Sequence, residues 1–186
     1  MRLFSLLVTT LLLMSCQSTG EDLTPAQERT EIRLMRHNVL NQLFKNVPEA
    51  EQEIKRSAGY AVFSNAQINI ILISAGTGYG VVKNNLTGKE TFMEMGEAGL
   101  GLGLGAKDFR AIFVFHTKKA IEQFVEQGWA FGAEADAAAK SNEKGGQASY
   151  GVTVGNITVY QLTENGIALQ ATVKGTKYWQ SERLNQ

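Results

Sequence analysis

Gly99-Leu100-Gly101-Leu102-Gly103-Leu104-Gly105-Ala106, running on through Lys107-Asp108-Phe109 into Arg110-Ala111-Ile112-Phe113-Val114-Phe115-His116, is the stretch on which the fold turns. Gly101, Gly103 and Ala106 satisfy the spacing of a dinucleotide-binding loop. That chemistry needs a helix N-terminus directly after the glycines, whose N–H groups hold the pyrophosphate. Here Lys107-Asp108 leads instead into a β-branched and aromatic run, the chemistry of a strand. Successive side chains of a strand point to opposite faces. The glycine stretch therefore reads as a strand with Gly99, Gly101, Gly103 and Gly105 on one face and Leu100, Leu102 and Leu104 on the other. Gly76-Thr77-Gly78-Tyr79-Gly80 repeats the device with Gly76, Gly78 and Gly80. Bare backbone admits a close neighbour. Either a helix or a second sheet packs there, or the strip borders a groove for an acyl chain or a partner strand.

Working outward, strand patterns recur at 60–63, 68–74, 78–83 and 89–95, with a turn at Asn84-Asn85-Leu86-Thr87-Gly88. Thr117 caps a helix whose Ile121, Phe124, Val125 and Trp129 share a face, and which ends near Gly128. Residues 131–139 fit a strand or a helix, and 141–147 read as a polar loop. Glu164-Asn165-Gly166 joins strands 157–162 and 167–174 as a hairpin. Upstream, Thr24-Pro25 starts a helix. Its apolar face carries Ile32, Met35, Val39, Leu40, Leu43, Phe44 and Val47. Pro48 interrupts, residues 49–57 form a second short helix, and Gly59 stops it. The pattern predicts an α+β fold: a mostly antiparallel, twisted or barrel-like β-sheet with N-terminal amphipathic helices and one internal helix.

At 186 residues the chain suits one domain. Hydrophobic residues make up 44% and charged residues 19%, the composition of a globular protein. Basic and acidic residues number 18 each, so no positive field exists to hold a nucleic-acid backbone. Cys16, His37 and His116 are too few soft or nitrogen ligands for a zinc cluster. No metal or other cofactor is expected. The sequence holds no G-x-S-x-G elbow and no H-E-x-x-H helix. Glu134 with Asp136, and Glu94 with Glu97, are carboxylate pairs at chance spacings, without the signals of a sugar site. A non-enzymatic protein is expected. Asn85-Leu86-Thr87 and Asn156-Ile157-Thr158 match a glycosylation sequon but read as turns.

The N-terminus has the order of a secretory signal: Arg2, an apolar run from Leu3 to Met14, then Ser15-Cys16. The run is too short to span a bilayer. Leu13-Met14-Ser15-Cys16 resembles the bacterial lipobox, which implies that cleavage leaves Cys16 as the first residue, carrying diacylglycerol and an N-acyl chain such as palmitate. More than one acyl chain gives stable anchoring. Gln17 follows the cysteine, the kind of residue that permits sorting to the outer membrane in the enteric pattern this resembles. The expected organisation is a lipoprotein signal peptide over 1–15, acylated cysteine and tether over 16–26, and one domain over 27–186. Arg29, Arg33 and Arg36 flank an amphipathic stretch close behind this anchor, a membrane-surface geometry. With Ile32, Met35, Lys55 and Arg56 they are the candidate contacts to bilayer or lipid. The other reading is a helix packed on the sheet with its arginines solvated, since Glu28 and Glu31 dilute the basic face.

From about residue 55 onward the chain resembles the SYLF family, lipid-binding domains related to the Las17-binding actin regulators and found widely as bacterial lipoproteins. The resemblance rests on Ser57-Ala58-Gly59-Tyr60-Ala61-Val62-Phe63, on 76–82, on 99–105 and on Phe113-Val114-Phe115. It extends through Phe124-Val125-Glu126-Gln127-Gly128-Trp129-Ala130-Phe131-Gly132-Ala133-Glu134-Ala135 and 159–174 to Tyr178-Trp179. Ser64 stands where the family commonly has proline, and the isoleucine-rich 67–74 departs from its usual strand. The resemblance implies a non-enzymatic domain whose partner is a phospholipid or membrane surface, here an anionic phospholipid or another amphiphile. An envelope scaffold that recruits a protein partner is the alternative expectation, and a location at the outer membrane facing the periplasm goes with either.

Overall fold

Thr24 sets the start of the first helix. Its hydroxyl accepts from the Gln27 backbone N–H while the Gln27 side chain accepts from the Thr24 N–H at 2.9 Å, a reciprocal cap with Pro25 just inside. In the computed structural model, which describes residues 23–70, 73–100, 105–131, 151–163, 166–167 and 175–186, α1 runs Pro25–Asn46 and α2 runs Glu49–Arg56. Pro48 separates them. The α2 acids Glu49 and Glu51 stand in its first turn and Lys55 and Arg56 in its last, which suits the helix dipole.

Strands follow as β1 (Gly59–Ile70), β2 (Ile73–Asn84), β3 (Glu90–Leu100) and β4 (Gly105–Phe115). After α3 (Lys118–Gln127) come β5 (Trp129–Phe131), β6 (Val152–Val154), β7 (Ile157–Thr163), β8 (Gly166–Ile167) and β9 (Gly175–Gln180). Among the described residues these form one antiparallel sheet in the order β5-β9-β3-β2-β1-β4-β7-β6, with β8 beside β7. The sheet curls as a half-barrel. β4 returns beside β1 rather than β3, so β3-β2-β1-β4 is a Greek key. The expected α+β architecture, with two helices ahead of the sheet and one inside it, is the observed one.

Three readings change in detail. The glycine stretch 99–105, expected as one strand, is divided, with Gly99 near the end of β3 beside β2 and Gly105 opening β4 beside β1. The strand expected over 68–74 is divided, because β1 and β2 pair antiparallel up to Ile70 opposite Ile73 and its two ends belong to different strands. Its isoleucine-rich run carries no Gly, Pro or Asn-Gly signal to mark the reversal. Trp129 is not on the helix face with Phe124. Gly128, at φ 67, ends α3, and Trp129 opens β5 opposite Tyr178. A Cβ at Gly128 would run into the Tyr178 carbonyl, so glycine is required there for both backbone and space. Gly101 and Gly103, the 131–139 ambiguity beyond Phe131, the 141–147 loop and the returning strand of the last hairpin beyond Ile167 lie outside the described residues.

Alternation along the strands gives the sheet two different faces. On the inner face Ala61, Phe63, Val82, Met93, Met95, Ala111, Phe113, Phe115 and Tyr178 bury against Ala120, Ile121 and Phe124 of α3. On the outer face Val62, Ile112, Val114, Tyr160 and Leu162 bury against Val39, Leu43 and Val47 of α1 and Ala50 and Ile54 of α2. Further along α1, Ile32 meets Val81, Phe92 and the C-terminal Leu184. Asn185 holds that tail down by exchanging bonds with the Phe92 backbone at 2.9 and 2.8 Å.

Candidate functional site

The outer face is crossed by rows of register-matched residues, and α1 covers only some of them. Tyr60-Lys83-Glu90 and Val62-Val81-Phe92 lie under the helix. The next row, Ser64-Tyr79-Glu94-Trp179, lies beyond it. Tyr79 is 44% and Trp179 38% exposed, among the largest apolar surfaces of the described residues. The Trp179 indole N–H donates to Glu94 Oε2 at 3.1 Å. The far edge of its ring lies 3.1 and 3.3 Å from where a Cβ on Gly96 would stand, so the ring lies along β3, on a floor of bare glycine backbone. A depression of about 470 Å³ opens there, lined by Ser64, Thr77, Tyr79, Glu94, Met95 and Trp179. One step along the same face, Thr77, Gly96 and Lys177 are register partners, and Lys177 is exposed. Aromatic faces beside a carboxylate can hold an organic cation, and their open apolar surface can hold part of an amphiphile.

Under α1 the charges are already engaged. Glu90 takes Arg33 at 2.8 Å and Arg36 at 2.7 Å, with Lys83 at 3.8 Å. Burial alone would raise the Glu90 carboxyl, but the hydrogen bonds and charges of Arg36 and Arg33 outweigh it and hold it down at about 2. The Arg33 guanidinium also sits 5.3 Å from the Phe92 ring centre. Arg29 donates to the carbonyls of Leu184 at 3.2 Å and Gln186 at 3.4 Å. Arg183 pairs with Glu28. A second polar cluster fastens α2 to the sheet. Tyr160 donates to Glu53, whose other oxygen lies 3.4 Å from His116 Nε2, itself 2.8 Å from Thr158 Oγ1. Burial raises the Tyr160 phenol, and the hydrogen bond to Glu53 raises it further, so it stays a neutral donor.

The sequence-derived candidates thus fall in different places. Ile32 is fully buried between Val81, Phe92 and Leu184, which leaves it no surface for a bilayer. Met35 is partly buried against the same cluster. Arg29 holds α1 to the tail, and Arg36 and the still exposed Arg33 hold it to Glu90. Lys55 pairs with Glu51 at 2.7 Å, and Lys55 and Arg56 are both exposed. Cys16 lies outside the described residues. At Gly78 and Gly80 the nearest side chains on the glycine face come from the neighbouring strands, which α3 in turn covers. The Phe63 ring, directly opposite on β1, covers Gly80, and Met95 of β3 comes up against Gly78. Asn85 is a structural turn residue, donating to the carbonyls of Ile54 at 2.8 Å and Ser57 at 3.2 Å. Glu134 and Asp136 lie outside the described residues. The open row was not singled out from sequence. Its one local signal is that Tyr79 is a large residue between two glycines.

The class is defined by an antiparallel curled sheet packed by helices on both faces, with an exposed aromatic row on the outer one. Residues 96–186 match the family described as Ysc84, a Las17-binding protein actin regulator. Beta cell expansion factor A of Aeromonas veronii is 33% identical over 163 residues, 88% of this chain and 61% of that protein. The chain therefore spans about three fifths of the length of this relative. It belongs to the SYLF (Ysc84) family.

Proposed function

We propose that the chain is a non-enzymatic lipoprotein domain that binds lipid, an anionic phospholipid or another amphiphile, while anchored through acylated Cys16 to the outer membrane and facing the periplasm. The observation that carries the reading is the open aromatic row: Tyr79 and Trp179 expose apolar surface around a depression, beside rows of the same face that are packed under α1. SYLF membership supports it, since lipid binding is what resemblance to that family implies. Of the basic candidates read from sequence, Arg56 and Lys55 are exposed at the end of α2, Lys55 paired with Glu51, whereas Arg29, Arg33 and Arg36 are engaged by the tail and by Glu90.

Native mass spectrometry with lipid extraction on residues 17–186, purified from a bacterial host, tests the binding. A stoichiometric phospholipid or fatty acid is expected. A protein that carries none, and stays unbound after incubation with phospholipid vesicles, sinks the proposal. For the anchor, labelled palmitate should enter the full chain and fail to enter Cys16→Ser, which should also leave the membrane fraction; equal labelling of both removes Cys16 as the site. The second reading is an envelope scaffold with a protein partner. It is favoured by the description of the matched family as Las17-binding. Recovery of one stoichiometric protein with no lipid co-purifying would move the weight to it.

A further inference from the structure

We propose that the depression between Tyr79 and Trp179 binds the zwitterionic headgroup of an aminophospholipid, its ammonium at Glu94 and its phosphate toward Lys177; this rests on the lipid-binding reading and names the ligand class of that site. Glu94 stands between Tyr79 and Trp179 in the register of three adjacent strands, β2, β3 and β9. One carboxylate oxygen accepts from the Trp179 indole, which leaves the side chain oriented, and among the described residues nothing else is bonded to it. An alkylammonium set there meets a full negative charge flanked by two exposed rings, groups that together recognise organic cations. A bare anion meets the opposite field.

The other half of the headgroup has a counterpart on the same face. Lys177 pairs with Gly96, two residues along β3 from Glu94, which places it diagonal to the carboxylate at roughly 7–8 Å between backbones. Position 96 is glycine and adds no side chain of its own, so the Trp179 ring lies over it, along the path from Glu94 toward Lys177. The exposed Thr77 flanks the same row with a hydroxyl donor. A negative group with aromatic walls and a positive group one step away are complementary to phosphoethanolamine and not to a singly charged anionic headgroup.

The test uses residues 17–186, which contain every element of the fold described. Tryptophan fluorescence follows titration with soluble phosphoethanolamine, with ethylamine and inorganic phosphate as controls. Flotation then compares vesicles of phosphatidylglycerol alone with vesicles of equal parts phosphatidylglycerol and phosphatidylethanolamine. Phosphoethanolamine should bind more tightly than either control, and the mixed vesicles more tightly than the anionic ones. Glu94→Gln keeps the side-chain size and the acceptor for Trp179; it should weaken both by about tenfold. Lys177→Gln, at an exposed position, should weaken phosphoethanolamine and leave ethylamine unchanged, which keeps the test alive should Glu94→Gln fail to fold. Vesicles of both compositions bound alike and insensitive to Glu94→Gln would overturn the headgroup site while lipid binding stands. Failure of every vesicle to bind removes both. Ethylamine bound as tightly as phosphoethanolamine overturns the zwitterion, and a lysine-rich peptide that binds at Glu94 more tightly than the mixed vesicles assigns the site to a protein and overturns the lipid.

Discussion

On the inner face of the sheet Phe63, Phe113 and Tyr178 close around Phe124 of α3 with ring centres 4.7–6.1 Å apart, in edge-on and tilted arrangements. On the outer face of the same strands, one residue further along from Phe63 and Tyr178, Ser64, Tyr79, Glu94 and Trp179 form a row that no helix covers. The difference lies in what the pleat presents. Alternate residues of β1, β2, β3 and β9 commit one face to a continuous apolar core, while across β2 and β3 the first helix covers only the Lys83-Glu90 and Val81-Phe92 rows of the other face. Stability and surface chemistry are thereby separated onto opposite sides of one backbone. Substitutions can test how cleanly.

The largest effect belongs to the inner face. Phe63 is fully buried, meets three other rings and covers the bare backbone of Gly80, so Phe63→Ala opens a cavity and uncovers a cross-strand neighbour at once. A loss of about 3–5 kcal/mol is expected in urea unfolding. A loss below about 1 kcal/mol would mean that the aromatic cluster does not hold the sheet and α3 together.

A smaller effect belongs to the docked half of the outer face. Glu90→Gln leaves the partly buried Arg36 and the exposed Arg33 beside a neutral amide, and should cost about 1–2 kcal/mol at neutral pH. The acid dependence carries the sign. Glu90 is held down at about 2 in the fold against an ordinary 4.5, so its contribution is complete above about 5. It declines as pH falls through 4.5 toward 2, where the folded form also protonates. The unfolding midpoint of the natural chain should therefore fall more steeply over that window than that of Glu90→Gln. Parallel pH profiles would remove Glu90 as the clasp of α1. Smaller still is Thr24→Ala, which removes a reciprocal cap at the exposed start of α1 and should cost about 1 kcal/mol in the same unfolding measurement.

Much of this was legible in local pattern. Thr24-Pro25, the 3.6-residue rhythm from Ile32 to Val47, the Asn84 to Gly88 turn and the Phe113-Val114-Phe115 strand each announce themselves through backbone chemistry that acts over a few residues. What stayed hidden depends on register. The pairing of Glu90 with Arg33 and Arg36 spans more than fifty residues of chain, and periodicity showed the arginines without their partner. With the partner out of sight, the arginines fit a membrane-facing stripe or a solvated flank of a packed helix, and neither reading contains the clasp. The same holds for the glycines. Alternation showed that something must come close to Gly78 and Gly80, but only the β1–β2 and β2–β3 registers identify Phe63 and Met95. Tyr79, Glu94 and Trp179 lie on three strands, and no local rule brings them into one row.

The smallest expected effect on stability is the one that sharpens the contrast most. Tyr79 is 44% exposed and α1 does not reach its row, so Tyr79→Ala should shift unfolding by no more than about 0.5 kcal/mol. Its expected effect on vesicle binding is large, since it removes one of the two rings that border the depression. The two numbers have to be read together. A near-silent unfolding curve with a clear loss of binding places Tyr79 on a surface kept for a ligand. A destabilisation as large as that of Glu90→Gln would instead make the row a part of the packed sheet, and the division of labour between the two faces would fail at the residue where it is most exposed. Trp179→Ala is the stricter companion, because it also frees Glu94 from the indole N–H. If the rings act by bordering the carboxylate, the two substitutions weaken binding together and the double variant loses little more than either one. If each ring acts only through its own apolar area, the losses add.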